Sequence, residues 1–207
     1  MVMDSSHQDH TTDVTGIILA GGSSSRLGQD KAFIDICGLP LVERVVHQLH
    51  EVVDEILLVT DRPQAFSFLG LPVTSDHYPG VGVLGGLHAG LSVARTAYVL
   101  AVGCDMPFLR PGLLRYLLSL RTEADVVMPR IDGYHEPLHA VYSKVCLPNL
   151  ERTIQAKRRR ILHALDGLCV RYVERAAIEP YDPELRSFFN VNKPEDLAQL
   201  DELLADD

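Results

Sequence analysis

The sequence contains no apolar run approaching a membrane span, no Cys-x-x-Cys pair, no internal repeat, no linker and no low-complexity tract. It is also short of cations: 19 Lys and Arg stand against 28 Asp and Glu, a formal net charge of −9. Each shortage removes a class of protein. Without a long apolar run the chain is not expected to cross a bilayer. The polar residues 1–13 lack the apolar core of a signal peptide and read as a disordered tail. Phosphate backbones select basic surfaces, so an acidic chain is not expected to hold nucleic acid. Four scattered cysteines, Cys37, Cys104, Cys146 and Cys169, read as reduced, partly buried thiols of a cytoplasmic protein. The rest is ordinary for a soluble globular chain: 207 residues, 46% hydrophobic and 23% charged, enough for one domain over residues 14–207.

Apolar runs alternate with helical patterns, the mark of an α/β domain. Strands are predicted at 16–20, 55–60, 73–76, 98–104 and 124–128, with further strand character at 138–142 and 170–173. Leu41, Val42, Val45, Val46, Leu49, Val52 and Val53 recur at helical spacing after Pro40. Helices are also predicted at 84–95, despite its glycines, at 112–120, within 145–161, and from about Pro194 onward. The expected architecture is a three-layer αβα, Rossmann-like fold with a mostly parallel central sheet. Its ligand crevice should lie at the carboxyl ends of the strands.

The most informative segment is Thr15-Gly-Ile-Ile-Leu-Ala-Gly-Gly-Ser-Ser-Ser-Arg-Leu-Gly-Gln-Asp-Lys31. A short β-branched strand runs into Gly21 and Gly22, which let backbone N–H groups approach a ligand closely. Ser23, Ser24 and Ser25 add hydroxyls, and Arg26 and Lys31 add positive charge. Amide donors flanked by cations suit a polyphosphate. The spacing is not that of a Walker A loop, because Gln29-Asp30-Lys31 follows Gly28. A second constellation is Val99-Leu-Ala-Val-Gly-Cys-Asp105-Met-Pro107, an apolar strand ending in a carboxylate. In a parallel sheet Asp105 shares an edge with the glycine loop, where one acid beside phosphates suffices for Mg²⁺. An Asp opening a turn would look the same in sequence. Asp76, after the 73–76 strand, is a further edge candidate.

The pattern Leu19-Ala20-Gly21-Gly22-x-Ser-x-Arg26-Leu-Gly28-x-Asp30-Lys31 resembles the nucleotidyltransferase signature of the molybdenum cofactor guanylyltransferase family. Cytidylyltransferase relatives usually read Leu-Ala-Ala-Gly, so Gly21 points to the guanylyl branch. Cys-Asp105-Met-Pro resembles the family's metal-binding Cys-Asp-x-Pro. Residues 82–90 resemble Gly-Pro-Leu-x-Gly-Leu, with Val83 replacing proline. Phe189-Asn190-Val-Asn192-Lys-Pro194-Glu-Asp196-Leu resembles Asn-x-Asn-Thr-Pro-Glu-Asp-Leu. The resemblance implies transfer of GMP from Mg-GTP to molybdopterin. Leu19, Ala20, Gly21, Gly22, Ser23, Lys31, Asp76 and Asp105 would bind nucleotide, with Lys31, Arg26 and Asp105 catalytic and Asp105 holding Mg²⁺. Asn190 and Asn192 are both possible substrate-side residues; Asn192, three before Glu195 with Pro194 between, also reads as a helix N-cap, which makes Asn190 the better candidate. Contact with cofactor insertion or acceptor proteins is a further implication. A cytidylyltransferase, a sugar-phosphate nucleotidyltransferase and a non-catalytic nucleotide-binding domain remain alternatives.

Three other patterns compete. His135-Glu136-Pro137-Leu138-His139 fits the zinc-protease motif, but Pro137 would break the continuous helix that motif requires, at roughly 3 kcal/mol or more. Gly80-Val-Gly82-Val-Leu-Gly85, with Asp105 downstream, fits a dinucleotide fingerprint and an NAD(P)-binding enzyme. Its glycines, however, follow Asp76-His-Tyr-Pro79 rather than a strand. Lys157-Arg158-Arg159-Arg160 could touch an anionic pterin phosphate, but it reads first as a solvated helix face or helix end and is left outside the site.

Overall fold

The computed structural model describes residues 13–21 and 30–205. Residues 1–12 of the expected tail, and Gly22, Ser23 and Arg26 of the glycine-serine loop, lie outside the described residues. The chain opens with β1 (Val14–Leu19) and continues, after a 3-10 turn at Lys31–Phe33, into β2 (Asp35–Ile36) and β3 (Leu39–Pro40). Next come α1 (Leu41–His50), β4 (Glu55–Val59), β5 (Val73–Thr74), α2 (Val83–Val93), β6 (Tyr98–Gly103) and α3 (Pro111–Ser119). The second half holds β7 (Val126–Ile131), β8 (Tyr134–His135), β9 (His139–Ser143) and α4 (Leu147–Gln155). It ends with β10 (Val170–Glu174), α5 (Arg175–Ile178) and α6 (Pro194–Ala205).

The main sheet runs β10-β7-β9-β6-β1-β4-β5, with β8 paired to β7. β1 is parallel to β4 and β6, β4 to β5, and β10 to β7. β9 alone opposes both of its neighbours, β6 and β7. The mostly parallel αβα fold expected from the sequence is therefore present, with two reversed strands, β9 and the short β8 that pairs antiparallel with β7.

Alternation along β1 builds two cores from one strand. Val14 and Ile18 face the layer of α1, α3 and α6, where Leu41, Val45, Leu49, Leu113, Leu117 and Leu200 are buried. Ile17 and Leu19 face α2 and α4, with Leu84, Leu87, Leu91, Leu150 and Ile154. Both faces of β1 are covered, which is why its sequence is mostly apolar, the hydroxyl of buried Thr15 being paired with that of Thr96 at 2.8 Å. The glycines of α2 are explained by contact with the sheet. A Cβ at Gly90 would lie 2.8 Å from Ile17 Cδ1, and one at Gly86 would lie 3.1 Å from Leu19 Cδ2. The helix survives the propensity cost of glycine because its backbone packs where side chains have no room.

The β2–β3 hairpin has no counterpart among the predicted elements. Its two turn residues, Cys37 and Gly38, have φ of 53° and 87°, as a two-residue primed turn requires. The zinc-protease pattern is dispersed. His135 ends β8, His139 opens β9, and no helix joins them.

His139 is fully buried, 4.7 Å from the Phe188 ring between centroids, and neither ring nitrogen has a hydrogen-bond partner. Burial lowers its pKa from 6.5 to about 3. Between those values only the unfolded chain takes up the proton. The stabilisation from keeping this imidazole neutral is therefore complete above pH 6.5 and is lost as pH falls toward 3. In urea melts, His139→Leu should lose less stability than the parent between neutral pH and pH about 4. Parallel losses in the two proteins would remove His139 from the acid limb.

Candidate active site at the carboxyl edge of the sheet

Register explains how distant residues meet. Leu19 pairs with Val59 on one side and with Gly103 on the other, and Val59 pairs with Thr74. Gly21, Asp61, Asp76 and Asp105 each lie two residues beyond those paired positions, so four strand exits deliver them to one height on one edge. All four line a cleft of about 500 Å³, together with Leu19, Lys31, Thr60, Gly82, Gly86, Cys104, Leu138 and Asn192 among others. The dinucleotide-like glycines belong to the same wall: Gly82 precedes the first residue of α2 with φ 78°.

Lys31 stands on the 3-10 turn that follows the glycine-serine loop. Asp30 caps that turn, its Oδ1 accepting from the Ala32 N–H at 3.2 Å, and also forms an ion pair with Arg62. The Lys31 ammonium donates to Asp105 Oδ2 and, at 3.0 Å, to Asn192 Oδ1. Asp105 is 9% exposed. Its carbonyl accepts from the Val191 N–H at 3.0 Å, pinning the last segment of the site to the exit of β6. Beneath it the Cys104 thiol is raised to about 12, chiefly by burial and then by the Asp105 charge, so it stays protonated and takes no nucleophilic part.

Asp76 closes a turn and also faces the cleft. Its Oδ1 accepts from the Tyr78 N–H at 2.7 Å, an Asx turn, while the side chain lines the cleft. Burial raises its pKa, the Tyr78 bond opposes that shift, and the Asp61 charge adds to it. Gly85 is small because a Cβ there would lie 2.8 Å from Asp76 Cγ.

Of the two asparagines, Asn192 lines the cleft. Asn190 Nδ2 donates to Phe188 O at 2.9 Å, holding a local turn, whereas Asn192 reaches Lys31. The helix cap falls one residue later than the sequence suggests. Asp196 Oδ2 accepts from the N–H groups of Asn192 and Lys193 at 2.7 and 2.8 Å. With Pro194 as the first helical residue, Asp196 is the third, so it takes the place assigned to Glu195 and frees the Asn192 side chain. Asp61 was not among the sequence candidates. Its signal was available, as an acid just past an apolar strand, like Asp76 and Asp105.

Residues 16–168 match the MobA-like NTP transferase domain. The chain belongs to that family. A probable molybdenum cofactor guanylyltransferase of Natronomonas pharaonis is 39% identical over 203 residues, spanning 92% of this chain and 98% of the relative. A probable molybdenum cofactor guanylyltransferase of Pelotomaculum thermopropionicum is 37% identical over 185 residues, 89% and 90% of the two chains. The crystal structure of molybdopterin-guanine dinucleotide biosynthesis protein A from Archaeoglobus fulgidus superposes with TM-score 0.82 at 31% identity. It covers 93% of this chain and all of that one. More distant nucleotidyltransferases share the fold alone, among them a CMP:2-keto-3-deoxy-manno-octonic acid synthetase at 19% identity and TM-score 0.74. In this MobA-like chain, Gly85→Ala should displace the Asp76 carboxylate while leaving the sheet intact. Affinity for GTP with Mg²⁺, read by thermal shift, should drop about tenfold, the worth of one polar contact; an unchanged shift would separate Asp76 from nucleotide binding.

Proposed function

We propose that the protein transfers GMP from Mg-GTP to the terminal phosphate of molybdopterin, forming the guanine dinucleotide cofactor and releasing pyrophosphate. The observation that carries this reading is the meeting of Lys31 and Asp105, 74 residues apart, beside Gly21 in the cleft. The names of the relatives supply the base and the acceptor. An oxygen of the acceptor phosphate bonds to the α-phosphorus of GTP. The bond to the bridging oxygen of the β-phosphate breaks, and its electron pair leaves with pyrophosphate. The attacking oxygen is already anionic, so no side chain need remove a proton, and no histidine is among the described residues lining the cleft. Positioning and charge neutralisation then carry the rate.

The donor chemistry fits Mg²⁺. No group of three His, Cys, Asp or Glu among the described residues is placed to hold a metal by itself. A single hard carboxylate, Asp105, is what an ion ligated mainly by phosphate oxygens and water needs. Asp61, Asp76 and Asp105 face the cleft with Lys31, so a triphosphate is better received there with an accompanying cation. When bound, Mg²⁺ supplies Lewis-acid neutralisation of phosphate oxygens. Lys31 neutralises charge growing at the α-phosphate, with its ammonium held by Asn192, and Asp105 would hold the metal. Leu19, Ala20, Gly21 and Asp76 place the nucleotide. Gly22, Ser23 and Arg26 complete the phosphate loop. We assign the reaction to one domain over residues 14–207, acting in the cytoplasm and handing its product to acceptor proteins. No helix among the described residues is long and apolar enough to cross a membrane.

Lys31→Ala should lower kcat by about 10²–10³, as loss of one preorganised charge contact does, with little change in melting temperature. A folded variant at full turnover would dismiss Lys31 from the chemistry. Asp105→Asn should raise the Mg²⁺ concentration needed for half-maximal rate, and an unchanged Mg²⁺ titration would remove that ligand. In a pyrophosphate-release assay with molybdopterin, GTP should far outpace CTP; the reverse order would reassign the enzyme to the cytidylyl branch.

A further inference from the structure

Lys157, Arg158, Arg159 and Arg160 are all exposed, directly after α4. Four consecutive cations form a concentrated positive patch in a chain of net charge −9. Elsewhere Arg121, Arg130, Arg171, Arg175 and Arg186 each pair with a carboxylate. None of these four makes an ion pair or side-chain hydrogen bond among the described residues. Glu151, two turns earlier on α4, directs its Oε1 to Tyr78 and Gln155 instead.

The loop is held at both ends. The Lys157 N–H bonds to Ile154 O at 2.8 Å and the Arg158 N–H to Thr153 O at 3.1 Å, the paired closure of a helix end. Lys157 adopts φ 57° there, a conformation usually left to glycine. On the far side a 3-10 turn, Ile161–Leu165, buries Ile161, Ala164 and Leu165. The arginines thus project from a fixed backbone.

Topology carries this loop back toward the carboxyl edge of the sheet. β9 starts at His139, next to the cleft residue Leu138, and descends the sheet antiparallel to β6. Its five residues drop about 17 Å. The nine residues of α4 then climb back about 13 Å. Tyr78 O–H donates to Glu151 at 3.4 Å, tying the middle of α4 to the rim segment that carries Asp76.

We propose that Arg158, Arg159 and Arg160 are the receiving surface for the phosphomonoester dianion of the second substrate, at the α4 side of the cleft rim. This rests on the transferase reading above. The reaction brings two polyanions together in a cleft lined by Asp61, Asp76 and Asp105, so the acceptor needs a compensating field on its approach. Guanidinium forks suit a phosphate's oxygens in direction as well as in charge. The patch then supplies acceptor affinity and leaves GTP binding to the strand exits.

The test is the triple variant Arg158→Gln/Arg159→Gln/Arg160→Gln, with Lys157 kept because it closes the helix. The KM for molybdopterin should rise about tenfold or more at low salt, the sum of two or three modest charge contacts, while kcat and the KM for GTP stay within about twofold, and the acceptor KM should lose most of its salt dependence. Equilibrium binding of molybdopterin without GTP should weaken equally, and the Arg→Lys triple variant should recover most of the loss. An unchanged acceptor KM overturns the proposal, including the case in which the patch serves an acidic protein surface. A GTP KM that rises as far as the acceptor KM overturns it too. Neither result touches the assigned reaction, which fails separately if the parent protein releases no pyrophosphate from GTP and molybdopterin.

Discussion

The site depends on one constraint, the in-register pairing of β1 with β4 and β6. Backbone hydrogen bonds fix Leu19 level with Val59 and Gly103, and a strand advances about 3.3 Å per residue. Two residues beyond the ladder therefore means the same height for every exit. A slip of one residue would turn each strand's buried face toward the opposite helix layer. The two apolar cores forbid that slip, so the packing that stabilises the sheet also aligns the acids with the glycine turn. The candidate site thus occupies the first loop residues after a rigid scaffold.

Much of this was legible in the sequence. The strands and helices around β1, β4, β6, α1, α2 and α3 carry periodicities strong enough to locate them, and Gly21, Lys31, Asp76 and Asp105 stand out by residue type and place. What escaped was set by tertiary context. The Cys37-Gly38 turn is too short for a pattern. The reversal of β9 follows from pairing with β6 and β7, which no local signal in residues 138–142 announces. Asn192 has the sequence of a cap because Glu195 lies three residues on. The helix starts one residue later, Asp196 takes the capping role, and the asparagine is released to Lys31. A shift of one residue in a boundary thus moved a side chain from structure to the site.

Charge is distributed against the average of the molecule. The net charge of −9 is a global quantity, whereas the cleft concentrates three carboxylates and the loop after α4 concentrates four cations. Two opposed local fields on one edge can sort two anionic ligands, one carried in with a metal ion and one drawn by guanidinium groups.

The anchoring of the 190–192 segment to Asp105 also bears on the order of events during translation. Lys31 and Asp105 leave the ribosome long before Asn192, and chains fold as they emerge. A nascent chain can complete the early strands and hold the lysine against its aspartate alone. The third member of that group arrives 161 residues after the first, so the centre closes only after all the intervening strands have been made.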